Sequence, residues 1–296
     1  MYDSILVPTD GSAHAERAAH HAISFAEAFD ATIHALGVAD VERAAGPFNA
    51  GGVSSEFVDR IEAECQSAVD AVADLAGESV AVETAVEVGD PPEAIHDYAE
   101  VNGLDAIAMG TRGLRGLSRL VSGSVTQSVV RRTDLPVMTA RVVDDDLVTD
   151  YDDVLVPTDG SDAAQAAVDH AIAVAAAYDA TVHVRHVVDV GAIATGSDVQ
   201  PPPERLEYLR DAGEDATESI AEDARGAGLE AVTSVEHGFP ASGLLDYVDE
   251  QSIDLVAMGT HGRTGLDRVL LGSTTERVIR RSPVPVLAVH PEENEQ

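Results

Sequence analysis

Lysine is absent from this 296-residue sequence, in which all 18 basic residues are arginine. Without lysine there is no Schiff-base chemistry, no P-loop lysine of the GK[ST] type and no kinase-type lysine. Tryptophan is also absent, and aromatic residues make up 4% of the chain. Its core must therefore be built from Val, Ala, Leu and Ile, as in parallel sheets covered by helices. One cysteine, Cys65, excludes an internal disulfide and a cysteine metal cluster. Neither GxGxxG nor GxSxG occurs, so the dinucleotide-binding and serine-hydrolase readings lack their fingerprints. Apolar runs such as Ala171–Tyr178 fall far short of the roughly 20 residues that span a bilayer. The opening MYDSILVPTD has no basic region before its apolar run, unlike a signal peptide. A cytoplasmic protein is expected.

Acidic residues are abundant: 53 against 18 basic ones, a formal net charge of −35. Disorder would need far fewer apolar residues than the 45% present. In dilute buffer such charge opposes compaction, but at about 1 M salt the Debye length falls to roughly 3 Å and most repulsion is screened. The composition predicts a salt-adapted prokaryotic protein that binds neither nucleic acid nor an anionic membrane.

The chain repeats itself. DSILVPTDGS near residue 3 returns as DDVLVPTDGS near residue 152, DATIHA as DATVHV, and LDAIAMGTRG as IDLVAMGTHG. Pro8 and Pro157, Asp30 and Asp179, Gly110 and Gly259, and Gly123 and Gly272 are all 149 positions apart. A constant offset of this length means a duplicated domain rather than a solenoid. The expected domains are 1–143 and 152–292, joined by an acidic linker over 144–151.

Within the first copy, apolar periodicity predicts strands at Ser4–Val7, Ala31–Val38, Val80–Val88, Leu104–Met109 and Leu135–Arg141. Between them come helices over Ala13–Phe29, Glu56–Leu75, Glu93–Val101 (opened by Pro91 and Pro92) and Ser124–Arg132. The fold class is α/β: two tandem doubly wound domains, each a five-stranded parallel sheet with helices on both faces. In such sheets ligands bind beyond the carboxyl ends of the strands, where strand order reverses.

A glycine-rich loop follows strand four in each copy: Gly110-Thr-Arg112-Gly113 with Gly123-Ser124, and Gly259-Thr-His261-Gly262 with Gly272-Ser273. Glycines admit close approach and positive φ, successive amides form an anion-binding nest, and a helix starts at the final serine. Neutral donors suit an anion inside an anionic molecule. The same residues also fit two plainer roles, a turn and a capping box in Ser124-Val-Thr-Gln127 and Ser273-Thr-Thr-Glu276. What favours phosphate is the second motif, PTDGS, which places Pro8, Thr9 and Asp10 (and Pro157, Thr158 and Asp159) beside the loop.

Together, Gly-x-x-Gly-x9-Gly-Ser, the opening (I/V)LVPTDGS and the closing strand make the chain resemble the universal stress protein family, in two tandem modules over nearly its whole length. The resemblance implies ATP as ligand, with a divalent ion (Mg or Mn) on the phosphates. It implies that Asp10 and Asp159 contact the adenine or ribose side, and Val38 and Val187 the adenine. Gly110, Gly113, Gly123 and Ser124, and Gly259, Gly262, Gly272 and Ser273, would hold ribose and phosphates. Met109, Val125 and Thr126 complete the first nucleotide site, and Met258, His261, Thr274 and Thr275 the second. Arg112, Arg115 and Arg263 could add charged donors, or simply pair with surface carboxylates. The second loop keeps the pattern better than the first, which has Leu114-Arg115, Ser122 and Gln127 where the second has Arg263-Thr264, Leu271 and Glu276.

No catalytic residue and no protein metal site is expected. His20-His21 and His183-x-x-His186 do not put both rings on one face, and Asp10 and Asp159 have no accompanying nucleophile. Asp-Gly is also a strong turn pair. Cys65 is expected to be a small buried residue. The closing strands Leu135–Arg141 and Val284–His290 are expected to pair, making the chain a pseudo-dimer; whether two such chains associate further as a homodimer is left open by the sequence. The leading reading is an ATP-binding regulatory or protective protein of the stress response. Its alternatives are an ATP-hydrolysing or adenylate-transferring enzyme on the same fold, and a structural dimerisation module with a vestigial site.

Overall fold

The computed structural model describes residues 1–41, 44, 54–111, 113, 124–143, 147–193, 203–261 and 271–291. The chain divides into two compact units, Met1–Thr149 and Asp150–Gln296.

In the first unit the strands are β1 (Ser4–Pro8), β2 (Thr32–Ala39), β3 (Val82–Val88), β4 (Ala106–Gly110) and β5 (Val137–Ala140). The helices are α1 (Ala13–Phe29), α2 (Ser55–Ala76), α3 (Pro91–Asn102) and α4 (Ser124–Arg132). All strand pairs within the unit are parallel, in the order β3-β2-β1-β4-β5. Strand order reverses between β1, which follows its sequence neighbour β2, and β4. α1 packs on β1, β4 and β5, and α2 on β2 and β3, while α3 lies against β2 and α4.

The second unit repeats this plan with β6 (Asp153–Pro157), α5 (Asp162–Tyr178), β7 (Thr181–Asp189), the single turn α6 (Val190–Ile193) and α7 (Pro203–Gly226). β8 (Ala231–Gly238), α8 (Pro240–Gln251), β9 (Leu255–Gly259), α9 (Ser273–Arg281) and β10 (Val286–Val289) follow. Its strands are also parallel, ordered β8-β7-β6-β9-β10.

β1 begins at Ser4 as expected, but β2 to β5 begin one or two residues later than apolarity alone suggests, because a strand exists only where a partner does: β4 starts at Ala106, the partner of Ile5. In the other direction, α3 starts at Pro91, since Pro-Pro suits the first helical positions, whose N–H groups have no intrahelical partner. Both copies of the Asp-Ala-Thr motif have one cause. Asp30 and Asp179 end α1 and α5 in the left-handed region, each with φ near 56°, a conformation that Asp tolerates and most residues do not.

The cores are aliphatic, as the composition requires. Leu6, Val7, Ile33, Ile107 and Val137 are buried in one unit, and Val154, Leu155, Val182, Leu255 and Val256 in the other. Aromatic clusters sit away from the carboxyl ends of the strands: Tyr2 with Phe25 and Phe29, and Tyr151 with Tyr178. Cys65 is only half-buried, a correction to its expected burial. Its Cβ lies 2.9 Å from where a Cβ on Gly37 would be. In the second unit the pair is inverted: His186 on the strand faces Gly213 on the helix. A large side chain is accommodated from opposite sides of the same interface in the two units.

Candidate functional site

The two motifs meet at the strand-order reversal. The PTDGS segment leaves β1 and turns into α1 through a ladder of local bonds. Thr9 N–H donates to Leu36 O (2.9 Å), anchoring the turn to β2. Gly11 N–H donates to Thr9 Oγ1 (3.2 Å), Ser12 N–H to Asp10 Oδ1 (3.1 Å), and Ala15 N–H to the N-cap Ser12 Oγ (3.2 Å). Gly11 has φ 73° and Gly160 φ 74°, so glycine is required at both. The second unit repeats the ladder through Thr158, Asp159 and Ser161 at 3.0, 3.0 and 3.2 Å. Asp10 and Asp159 therefore do hold a turn; one carboxylate oxygen is engaged there, and Oδ2 of Asp10 faces Gly113, whose Cα could carry no Cβ without striking it.

Two of the loop glycines answer to packing. A Cβ on Gly110 would lie 2.5–2.8 Å from the backbone of His14 and Ala15, and one on Gly259 would collide with the Ala163 carbonyl. These glycines let the first turn of α1 or α5 pass directly over the end of β4 or β9. The geometry of the cleft depends on it in both units, and packing by itself accounts for either residue.

Where the first turn of α9 begins, its amides are left open. Gly272 occupies the N-cap position with φ −59°, and its own N–H donates to Thr260 O (2.8 Å). Among the described residues no side chain caps the helix. The expected capping box is thus not formed in the second copy: Ser273 already lies inside the helix, one position too late to cap it. The first intrahelical bond runs from Glu276 N–H to Gly272 O (2.9 Å), so the N–H groups of Ser273, Thr274 and Thr275 have no partner within the helix. Thr275 Oγ1 donates to Gly259 O (2.9 Å) and Thr126 Oγ1 to Gly110 O (2.7 Å). These hydroxyls lash the helix to the strand.

Met109 and Met258 are buried in their strands. Val38 and Val187 sit at the carboxyl ends of β2 and β7; the Val187 side chain packs 3.4–3.8 Å from where Cβ atoms on Gly243 and Gly238 would be. Pro8 and Pro157 end β1 and β6, and Val125 and Thr274 lie in the first turn of α4 and α9. Arg112, Arg115, Gly123, Gly262 and Arg263 lie outside the described residues, as does the side chain of Ser124.

Two polar atoms stand out at this spot, one on His261, an expected site residue, and one on Thr111, which the motif did not single out. Thr111, at the end of β4, is 3% exposed, and its Oγ1 has no hydrogen-bond partner among the described residues. His261, at the end of β9, has a buried Nε2 in the same condition. Buried polar groups are nearly always paired, so an orphan at the mouth of a cleft points to something that binds there. For Thr111 the signal in the sequence was the repeated Gly-Thr after strand four.

The other histidine pair behaves as its spacing predicts. His183 and His186 project to opposite faces of β7, His183 towards Tyr247 Oη (3.0 Å) and Asp153 Oδ1 (2.7 Å), His186 towards Thr158 O (2.8 Å). Beside His183, the buried Arg185 lies over the Tyr247 ring (4.3 Å), bonds Ser234 Oγ (2.9 Å) and pairs with Glu236. The first unit has Leu36 at that position of β2. No group of three or more His, Cys, Asp or Glu residues that could hold a metal occurs among the described residues, and no helix there is long and apolar enough to cross a membrane.

Comparison with known proteins agrees with this arrangement. The sequence profile of the universal stress protein family matches residues 1–141 and again 150–290. Universal stress protein MJ0531 of Methanocaldococcus jannaschii is 38% identical over 140 residues, 47% of this chain and 82% of its own. A universal stress protein of Mycolicibacterium smegmatis is 28% identical over 295 residues, 97% of both chains, and so shares the tandem form. A crystal structure of a universal stress protein from Archaeoglobus fulgidus superposes with TM-score 0.71 at 24% identity, over 99% of this chain and 97% of that one, a likeness of fold. With the duplicated sheets, the paired motifs and a family profile met twice, the chain belongs to the universal stress protein family.

Proposed function

We propose that each unit binds ATP at the carboxyl ends of its first and fourth strands, and that the protein acts by binding nucleotide in a regulatory or protective stress role rather than by turning it over. The observation that carries this reading is the set of unspent polar groups at one place. Three uncapped amides (Ser273, Thr274, Thr275) and the orphaned His261 Nε2 gather where α9 starts, and in the first unit the orphaned Thr111 Oγ1 occupies the place of Thr260, next to that of His261.

These groups match a nucleoside triphosphate in chemistry. Helix-start amides supply donors and the positive end of a dipole to phosphate oxygens without adding a cation. Asp10 and Asp159 supply carboxylate acceptors for ribose hydroxyls or the adenine amino group, beside the turn that each holds. Val38 and Val187 offer an apolar edge for the base. Met109 and Met258, buried in their strands, support the cleft from below. A divalent ion in this scheme is carried by the phosphates and reaches the protein with them.

The strongly acidic surface is read as adaptation to molar salt, where screening removes the repulsion between charges of one sign. It also explains why neutral amides, not a cationic cluster, receive the anion. The test is titration of the full chain with magnesium and ATP in about 2 M KCl, following backbone amide resonances. Shifts at Ser273–Thr275 and Ser124–Thr126 that saturate together with heat of binding support the reading. Saturation without any movement of these amides would refute it.

A further inference from the structure

Behind His261 lies a second histidine that the glycine motif does not contain. His290 immediately follows β10, and Thr260 N–H donates to Val289 O (2.9 Å), so the end of β10 is fixed beside the end of β9. Thr260, fully buried, lies with its Oγ1 2.9 Å from His261 Nδ1 and 3.1 Å from His290 Nδ1. The two rings stand 5.7 Å apart at 62°. His261 itself adjoins the start of α9, its Cα 3.4 Å from where a Cβ of Gly272 would be.

A threonine hydroxyl has one hydrogen to donate and lone pairs to accept with. Placed between two Nδ1 atoms it must donate to one ring and accept from the other, so the tautomers of the two imidazoles are tied together. In one arrangement His290 Nδ1–H donates to Thr260 Oγ1, whose hydrogen goes to His261 Nδ1, and His261 carries its hydrogen on Nε2. In the other, His261 Nδ1–H donates to Thr260 and Nε2 presents a lone pair. The neighbouring groups at α9 are all donors, the amides of Ser273, Thr274 and Thr275, so whatever binds there is rich in acceptors. Only the first arrangement gives it a further donor.

We propose that His290 is a positioning residue of the second nucleotide site: acting through Thr260, it holds His261 in the Nε2–H tautomer, and that hydrogen is donated to the phosphate chain of the bound nucleotide. The inference rests on ATP binding as proposed above. It makes the two sites chemically different. The first unit has Thr111 at the position of Thr260, but Arg112 and Arg141 in place of the two histidines, so its threonine has no imidazole to order. The second site thereby gains a neutral donor, at no cost in charge, and its strength is set by a residue on a different strand.

The test uses the full chain in about 2 M KCl with Thr260→Val, Thr260→Ser and His290→Leu. Nitrogen-15 spectra of the imidazoles report the tautomer of His261 with and without magnesium-ATP, and the Ser273–Thr275 amides report affinity at the second site separately from the first. The expected result is an Nε2–H His261 in the wild type and in Thr260→Ser. In Thr260→Val and His290→Leu the tautomer preference is lost, second-site affinity falls about tenfold, as for one hydrogen bond to a charged acceptor, and first-site affinity is unchanged. Thr260→Ser also guards against a folding artefact, because it keeps the hydroxyl while altering the packing. Unaltered second-site affinity in Thr260→Val, or an Nδ1–H His261 in the ATP complex, overturns the inference while leaving ATP binding standing. A wild-type second unit that binds no ATP overturns both.

Discussion

Gly110 and Gly259 look like ligand-binding glycines in the sequence but are held by packing, and replacing one with alanine separates the two roles. A methyl group on Gly259 would strike the Ala163 carbonyl, and on Gly110 it would sit 2.5 Å from the His14 carbonyl carbon and 2.6 Å from its oxygen. Relief requires the first turn of α5 or α1 to move by roughly 1 Å, because carbon contacts are comfortable only near 3.5–4.0 Å. That turn is fixed by the Thr158, Asp159 and Ser161 ladder, or by its Thr9, Asp10 and Ser12 counterpart. Overpacking of this kind costs about 1–3 kcal/mol. For a unit of this size the melting temperature should fall by roughly 2–12 °C, at about 2–4 °C per kcal/mol. Gly272 is the control. It has an ordinary φ of −59° and its nearest neighbour to a new Cβ is 3.2 Å away, so Gly272→Ala should cost under about 1 kcal/mol. Thermal unfolding of the three variants in 2 M KCl, followed by circular dichroism, reads the difference. Gly259→Ala melting with the wild type would refute the packing account of these glycines.

His21 is buried in α1, and burial, with Arg17 and His20 nearby, lowers its pKa to about 3 from an ordinary 6.5. The unfolded chain therefore binds a proton that the folded one refuses. Stability from this group is complete above pH 6.5 and declines as pH falls towards 3, by about 3 kcal/mol at pH 4.5. The gap between wild type and His21→Gln, measured by denaturant unfolding at pH 7 and pH 4.5, should change by that amount, and a constant gap would contradict it. The inverted pair at the α2 and α7 interfaces predicts coupling. Gly37→His should be destabilising by about 2 kcal/mol or more, and Cys65→Gly should restore part of the loss, with a coupling of about 1–3 kcal/mol in a double-mutant cycle; strictly additive losses would count against it. Finally, raising KCl from about 0.1 to 1 M shortens the Debye length from roughly 10 to 3 Å. With a net charge of −35 the melting temperature should rise across that range, and a flat or falling curve would remove salt adaptation from the account.

Much of this architecture could be seen in the sequence because the chain states it twice. A constant offset of 149 residues turned each weak signal into a pair, and the apolar runs of β1, β4, β6 and β9 left little ambiguity about parallel strands. The motif residues were harder to interpret, since one residue type serves several physical needs. Glycine at 110 and 259 reflects a helix passing overhead, and at 11 and 160 a positive φ. Ser273 suggested a capping box, but a cap is defined by position, and the structure gives that position to Gly272. The Thr260 and His290 pairing joins residues 30 apart, one after each of two strands, and no local pattern foretells which strand ends lie side by side. Arg185 was missed for a related reason: an arginine in an apolar strand becomes intelligible only with Tyr247, Ser234 and Glu236 around it.

The claim on which the account depends is that amides at the start of α4 and α9 receive the phosphates of ATP. Its most direct measurement is the backbone amide spectrum of the full chain in 2 M KCl during titration with magnesium-ATP. The account predicts saturable shifts of Ser273, Thr274 and Thr275 and of their counterparts Ser124, Val125 and Thr126, with adenosine alone leaving them nearly still. Equal shifts with adenosine and ATP, or none with either, would contradict it.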